Sequence, residues 1–157
     1  MREPENSISK DVDFHAWLLD QAGKLRVRSL AALKCDDLAE ELEAIARKDR
    51  IELRSRLQNL LSHLLRWAYG PSHRSKTWTA TIYESRDAIH DLFEESPSIK
   101  NELISLFALS RAYSRAVRDA TLDTDGKVQF PEHCPWTLDT ILDPDFFPQP
   151  PNSPRDP

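Results

Sequence analysis

The chain has 157 residues, with 21 Lys and Arg against 26 Asp and Glu, 39% hydrophobic residues, 3 Gly, 11 Pro and 2 Cys. A chain of that length can bury about 68–70% of its unfolded surface, so one domain with its own core is expected and neither a disulfide framework nor a structural metal is needed. Cys35 and Cys134 lack a CxxC spacing and fit a reducing cytoplasm, and neither a membrane span nor a signal-peptide core is present in the sequence.

Scarce glycine and apolar residues at three- and four-residue steps predict an all-α protein. The expected fold is a helical bundle of four main helices, one of them long and central, with a short C-terminal helix. Residues 1–10 are expected to be disordered, 11–148 to form a single helical domain and 149–157 a disordered Pro-rich tail. The first helix is predicted to begin at Asp11 or Asp13, either able to accept a bond from an orphan N–H. It would bury Phe14, Trp17, Leu18, Gln21 and Leu25 and end before Leu30.

The second helix is predicted from Asp36 to Tyr69. Asp37, Glu40, Glu41 and Glu43 crowd its first turns, where the helix dipole favours acids, and Tyr69-Gly70-Pro71 stops it. Its apolar stripe runs through Leu38, Leu42, Ile45, Ala46, Leu53, Leu57, Leu60, Leu64 and Trp67, and Leu61, Leu65 and Ala68 widen it further on. At 1.5 Å per residue it would span about 51 Å. A compact chain of this length is roughly 40 Å across, so the helix either kinks or has its overhang covered by a second subunit, and a homodimer is expected.

A third helix is predicted from Ser75 to Glu95 with Trp78, Ile82, Ile89, Leu92 and Phe93 inward. Ser96-Pro97 reads as a cap followed by proline at the first helical position, opening a fourth helix to Leu122 with Ile99, Leu103, Leu106, Tyr113, Val117 and Ala120 inward. Asp123 to Pro135 reads as a loop, and Thr137 as the cap of a short helix carrying Leu138, Ile141 and Leu142. From Asp143 onward six of fifteen residues are proline, which forbids a helix, while Phe146 and Phe147 can pin the start of this tail.

The segments LAEELEAIARKDR (38–50), LQNLLSHLLRWAYGPSHRSKTWTATI (57–82) and FPEHCPWTLDTILDPDFFP (130–148) resemble the bacterial family known as Domain of Unknown Function 29. The resemblance runs from Asp13 to Pro148. It implies an all-helical fold and a bacterial origin, and it brings no activity and no catalytic residues.

Charge placement is the most informative chemical feature. Between Leu53 and Tyr83 there is no Asp or Glu, while Arg54, Arg56, Arg66, Arg74 and Lys76 contribute +5, so the rest of the chain carries −10 of the net −5. Arg66, Trp67, Arg74, Lys76 and Trp78 are candidates for holding a phosphorylated ligand or nucleic acid by charge and stacking. The sequence favours the alternative, a band whose arginines pair with the acidic start of helix two, because the acidity elsewhere repels a polyanion.

A second constellation lies on the long helix. Asp49 and Arg56 fall near the centre of its apolar stripe and Glu52 and His63 on one margin. A buried charge must be paired, so a polar network of Asp49, Glu52, Arg56, His63 and Arg86 is expected. It would be structural or, in the functional version, a hydrolase-like site with Asp49 or Glu52 as base, His63 as acid and Arg56 or Arg86 holding an anion. The arginine stripes Arg86 and Arg111, Arg115, Arg118 otherwise read as solvated faces. Cys134 beside His133 is a weak nucleophile candidate. No metal-ligand spacing, phosphate loop or dinucleotide fingerprint is present, so no metal and no cofactor is expected. The favoured reading is a non-enzymatic cytoplasmic interaction or accessory protein, dimeric and without a membrane partner. A binder of phosphate or nucleic acid and a hydrolase-like enzyme are the alternatives.

Overall fold

Helices account for all the regular structure among the described residues, in the order α1 (Phe14–Arg26), a 3₁₀ turn (Leu30–Ala32), α2 (Cys35–Tyr69), α3 (Lys76–Glu95), α4 (Pro97–Leu103), α5 (Leu106–Asp123) and α6 (Leu138–Leu142). The structure, a computed structural model, describes residues 8–70, 75–103 and 106–150. Most of the segments expected to be disordered, 1–7 and 151–157, lie outside the described residues, as does Arg74. The chain divides into two compact units, Met1–Arg47 and Lys48–Pro157, and α2 contributes to both.

In the N-terminal unit, Asp13 caps α1 by accepting from the Ala16 N–H at 2.9 Å. The α1 C-terminus closes with Ser29 N–H donating to the Lys24 carbonyl and with Arg28 at φ 57°, a left-handed cap position usually held by glycine. The buried side chains here are Trp17 and Gln21. Gln21 accepts from the Lys34 N–H at 2.9 Å and donates to Asp20 at 3.0 Å, tying the segment after the 3₁₀ turn to α1. Phe14 and Leu25, expected inward, are exposed, because periodicity marks one face of a helix without specifying a cover for it. Lys10, within the stretch expected to be loose, is ion-paired with Glu41 at 2.6 Å and Glu40 at 3.5 Å.

α2 runs unbroken over 35 residues. It carries no glycine or proline, and it stops at Gly70, where a Cβ would run into the Arg66 carbonyl oxygen. In the C-terminal unit, Leu53, Leu57, Leu60, Leu61, Leu64 and Leu65 of α2 are buried against Ile82 and Ile89 of α3, Ile99 and Leu103 of α4, Ala112, Tyr113, Ala116 and Ala120 of α5, and Ile141 and Leu142 of α6. Each fully buried leucine is worth about 1.5–3 kcal/mol, so this cluster drives the folding of the unit. Ser75 and Thr137 cap α3 and α6 by accepting from the Trp78 and Thr140 N–H groups. The stretch expected to be one fourth helix is described as α4 and α5, with residues 104–105 between them outside the described set.

Along the other half of α2 the stripe is uncovered: Leu42 and Ile45 are 66% and 61% exposed. The same heptad-like pattern that is buried beyond Leu53 therefore faces water near the helix start.

Candidate functional site

The polar margin of α2 does not assemble into the network anticipated for it. Glu52 and Arg56 form an exposed pair at 3.4 Å, one turn apart, and Asp49 is half-buried. An exposed i,i+4 pair contributes about 0.3–0.5 kcal/mol. Glu52 and Arg56 line an open hollow of about 590 Å³ with Lys48, Ser55, Gln58, Asn59 and Asp119, in which Gln58 donates to Asp119 at 2.6 Å. His63 lies outside that hollow and donates through Nδ1 to the Asn59 carbonyl at 2.9 Å. Burial lowers the His63 pKa, with the Arg66 charge adding to the effect, so the ring is neutral at pH 7 rather than a ready proton donor.

Arg86 is spent elsewhere. The sequence placed it in the network or on a solvated face, yet its side chain is 1% exposed. The guanidinium donates to three carbonyls of the C-terminal segment: Nε to Ile141 at 2.9 Å, Nη1 to Pro144 at 3.2 Å and Nη2 to Phe146 at 2.6 Å. It also sits 5.5 Å from the centre of the Phe147 ring. Burial lowers its pKa, offset by the nearby Asp143, Tyr83 and Asp145. Arginine supplies a planar fork of donors that lysine cannot, so this side chain is a clamp that fastens residues 141–147 to α3.

The basic band is tied down in a similar way. Arg66 pairs with Asp123 at 2.7 Å, donates to the Ser62 carbonyl at 3.3 Å and lies 5.2 Å from the Trp78 ring centre, joining α2, α5 and α3. Trp67 packs on Phe147 at 5.0 Å. Of the five candidates for phosphate or base contact, Lys76 is exposed, Trp78 is half-buried beneath Arg66, and Arg74 is outside the described residues. No group of three or more His, Cys, Asp or Glu placed to hold a metal occurs among the described residues. No helix among them is long and apolar enough to cross a membrane.

One feature went unread in the sequence, and a second was anticipated only as the overhang of α2. The first is a cleft of about 780 Å³ in the C-terminal unit, lined mainly by Phe93, Leu103, Leu109, Tyr113, Trp136 and Leu142, with Lys100, Ser110, Glu132, His90 and Cys134 among its polar members. Its walls come from α3, α4, α5 and the 132–144 segment, an arrangement no local pattern announces. Tyr113 donates to the Pro131 carbonyl at 2.7 Å, and burial pushes its pKa up to about 12. Cys134 donates weakly to the Trp136 carbonyl at 3.4 Å, and burial raises its thiol pKa, so it is protonated at neutral pH. α6, with five residues, is too short to reverse this field. Cys134 is accordingly expected to react with iodoacetamide at pH 7.5 at least about 10-fold more slowly than the exposed Cys35. Peptide mapping after timed alkylation measures both, and equal rates would restore the nucleophile reading.

The second feature is the apolar surface of the N-terminal unit. Ile8, Val12, Phe14, Leu19, Leu25, Val27, Leu30, Leu42 and Ile45 are each at least 40% exposed, whereas Trp17 is the one buried large apolar residue among the described residues of this unit. The signal was present in the stretch KLRVRSLAALK (24–34), where apolar and basic residues alternate across the end of α1.

No curated protein and no solved structure matches the chain. The sequence model of the family described as Domain of unknown function DUF29 matches residues 11–147, nearly the span of the resemblance, Asp13 to Pro148. With a match of that extent and an all-helical fold, the chain belongs to the DUF29 family.

Proposed function

We propose that this chain is a non-enzymatic interaction protein of the bacterial cytoplasm whose N-terminal unit docks a protein surface. The observation that carries this reading is the imbalance within residues 8–47: nine large apolar side chains at least 40% exposed, one buried. A monomer's solvent-facing surface seldom concentrates so much apolar area in so short a stretch, and such patches mark interaction sites. The chemistry of the polar candidates points the same way. The thiol of Cys134 is protonated, His63 is neutral, Arg86 serves as a clamp and Arg66 is engaged by Asp123 and Trp78.

The test is site-specific photo-crosslinking in cells, with a benzophenone amino acid at Leu42 and, as control, at the exposed Leu122 of the C-terminal unit. Adducts to a second polypeptide at Leu42, lost on adding Ile45→Lys and absent at Leu122, are expected. Adducts exclusively within the same chain would overturn the reading.

A second reading rests on the 780 Å³ cleft, whose apolar walls and few polar groups suit a small amphipathic molecule. A thermal-shift screen addresses it, since a ligand bound by the native state alone raises the melting temperature. A ligand whose shift is abolished by Leu109→Arg would support it, and silence across amphipathic, nucleotide and oligonucleotide ligands would remove it.

A further inference from the structure

Resting on the docking reading above, we infer that the partner is a second copy of this chain, joined by a two-fold interface in which the basic segment 24–34 of each copy lies on the acidic start of the other's α2. Two neighbouring stretches of the N-terminal unit carry opposite charge. From Gln21 to Cys35 there is no acidic residue, and Lys24, Arg26, Arg28 and Lys34 contribute +4. From Asp36 to Ala46 there is no basic residue, and Asp36, Asp37, Glu40, Glu41 and Glu43 contribute −5. Each stretch also displays apolar side chains: Leu25, Val27 and Leu30 at 49%, 75% and 67% exposure in the basic one, Leu42 and Ile45 at 66% and 61% in the acidic one.

A surface holding both halves of a complementary pair is what an isologous interface requires. A two-fold axis brings patch i of one copy onto patch j of the other and repeats the contact in reverse. A foreign partner would need to match only one patch, and it would leave the other as an exposed apolar and charged strip. The intrachain pairs already present do not use up this potential. Lys24 bonds Asp20 at 2.6 Å, and Lys10 takes Glu41, but Arg26, Arg28 and Asp36 are exposed, and Glu43 has an exposed contact with Arg47 at 3.6 Å. The area suffices. The exposed parts of the five apolar residues amount to on the order of 600 Å² per chain, so a two-fold contact reaches the lower bound of a specific interface, about 1,200 Å² in total.

The full chain is expected to sediment as a dimer at about 10 μM and to weaken at least several-fold between low and high salt, as charge-steered contacts do. Arg26→Glu/Arg28→Glu and Asp36→Lys/Glu43→Lys are each expected to raise the dimer dissociation constant about 10-fold or more. In an equimolar mixture of the two variants both contacts of the pair are complementary again, one native and one charge-swapped, so a dimer should be recovered. That recovery requires both variants to be folded, and circular dichroism of each alone checks it. A wild-type chain that stays monomeric at about 100 μM overturns the inference, as does a dimer whose variants dissociate without recovery on mixing. If the wild type is monomeric while Leu42 crosslinks to a different polypeptide, the second-copy inference fails and the docking reading stands. If Leu42 crosslinks only within its own chain, both fail.

Discussion

Arg86→Ala is expected to lower the melting temperature by roughly 10 °C. Truncation removes a buried cation and leaves the Ile141, Pro144 and Phe146 carbonyls without their donor. Buried polar groups stranded in this way cost about 1–3 kcal/mol each, so three of them account for a loss of several kcal/mol. For a chain of this size each kcal/mol shifts the transition by about 2–4 °C. Arg86→Lys keeps the charge but offers a single ammonium in place of a fork, so an intermediate loss is expected. Phe147 should loosen with its partner, which can be followed as faster hydrogen exchange across 141–147. A variant that melts within about 3 °C of the wild type would show that the three bonds are replaced by water and that the clamp is dispensable.

Trp17→Ala should act on one unit alone. Trp17 is 1% exposed, flanked by Phe14 with ring centres 6.1 Å apart and by the Lys10 ammonium 5.9 Å from its ring centre. Cutting a buried tryptophan to alanine costs about 3–5 kcal/mol. The N-terminal unit has no second buried large apolar residue among its described residues to absorb that loss, so α1 should unfold locally. Hydrogen exchange is expected to accelerate across α1 and the 3₁₀ turn while α3 and α5, held by the leucine and alanine core, keep their protection. Uniform acceleration through α3 and α5 would mean that the two units fold as one cooperative body, and an unchanged α1 would mean that Trp17 is not its anchor.

The elements themselves were readable one residue at a time. Asp36 to Tyr69 was expected and Cys35–Tyr69 is found, because the run lacks helix breakers, starts acidic and meets Gly70. Ser75, Pro97 and Thr137 marked helix starts for equally local reasons: a side-chain oxygen positioned for an orphan N–H, or a ring that prefers the first turn. The candidate site was far less readable. Asp49 and Arg56 were assigned to a buried stripe by their angular position, but the margin at Arg56 faces water, and Arg86 finds its partners 55 to 60 residues away.

Residue order alone determined which segments are helical, where α1, α2, α3 and α6 begin and end, and which face of each is apolar, since these depend on contacts within a few residues along the chain. Tertiary structure decided which of those faces is covered. Leu57 and Leu42 sit on the same stripe of the same helix, yet one is fully buried in the core formed with α3, α4, α5 and α6 and the other stays open. Cover comes from residues distant in sequence, and no periodicity records whether such a neighbour exists, which is why the docking surface and the Arg86 clamp emerge only once the chain is folded.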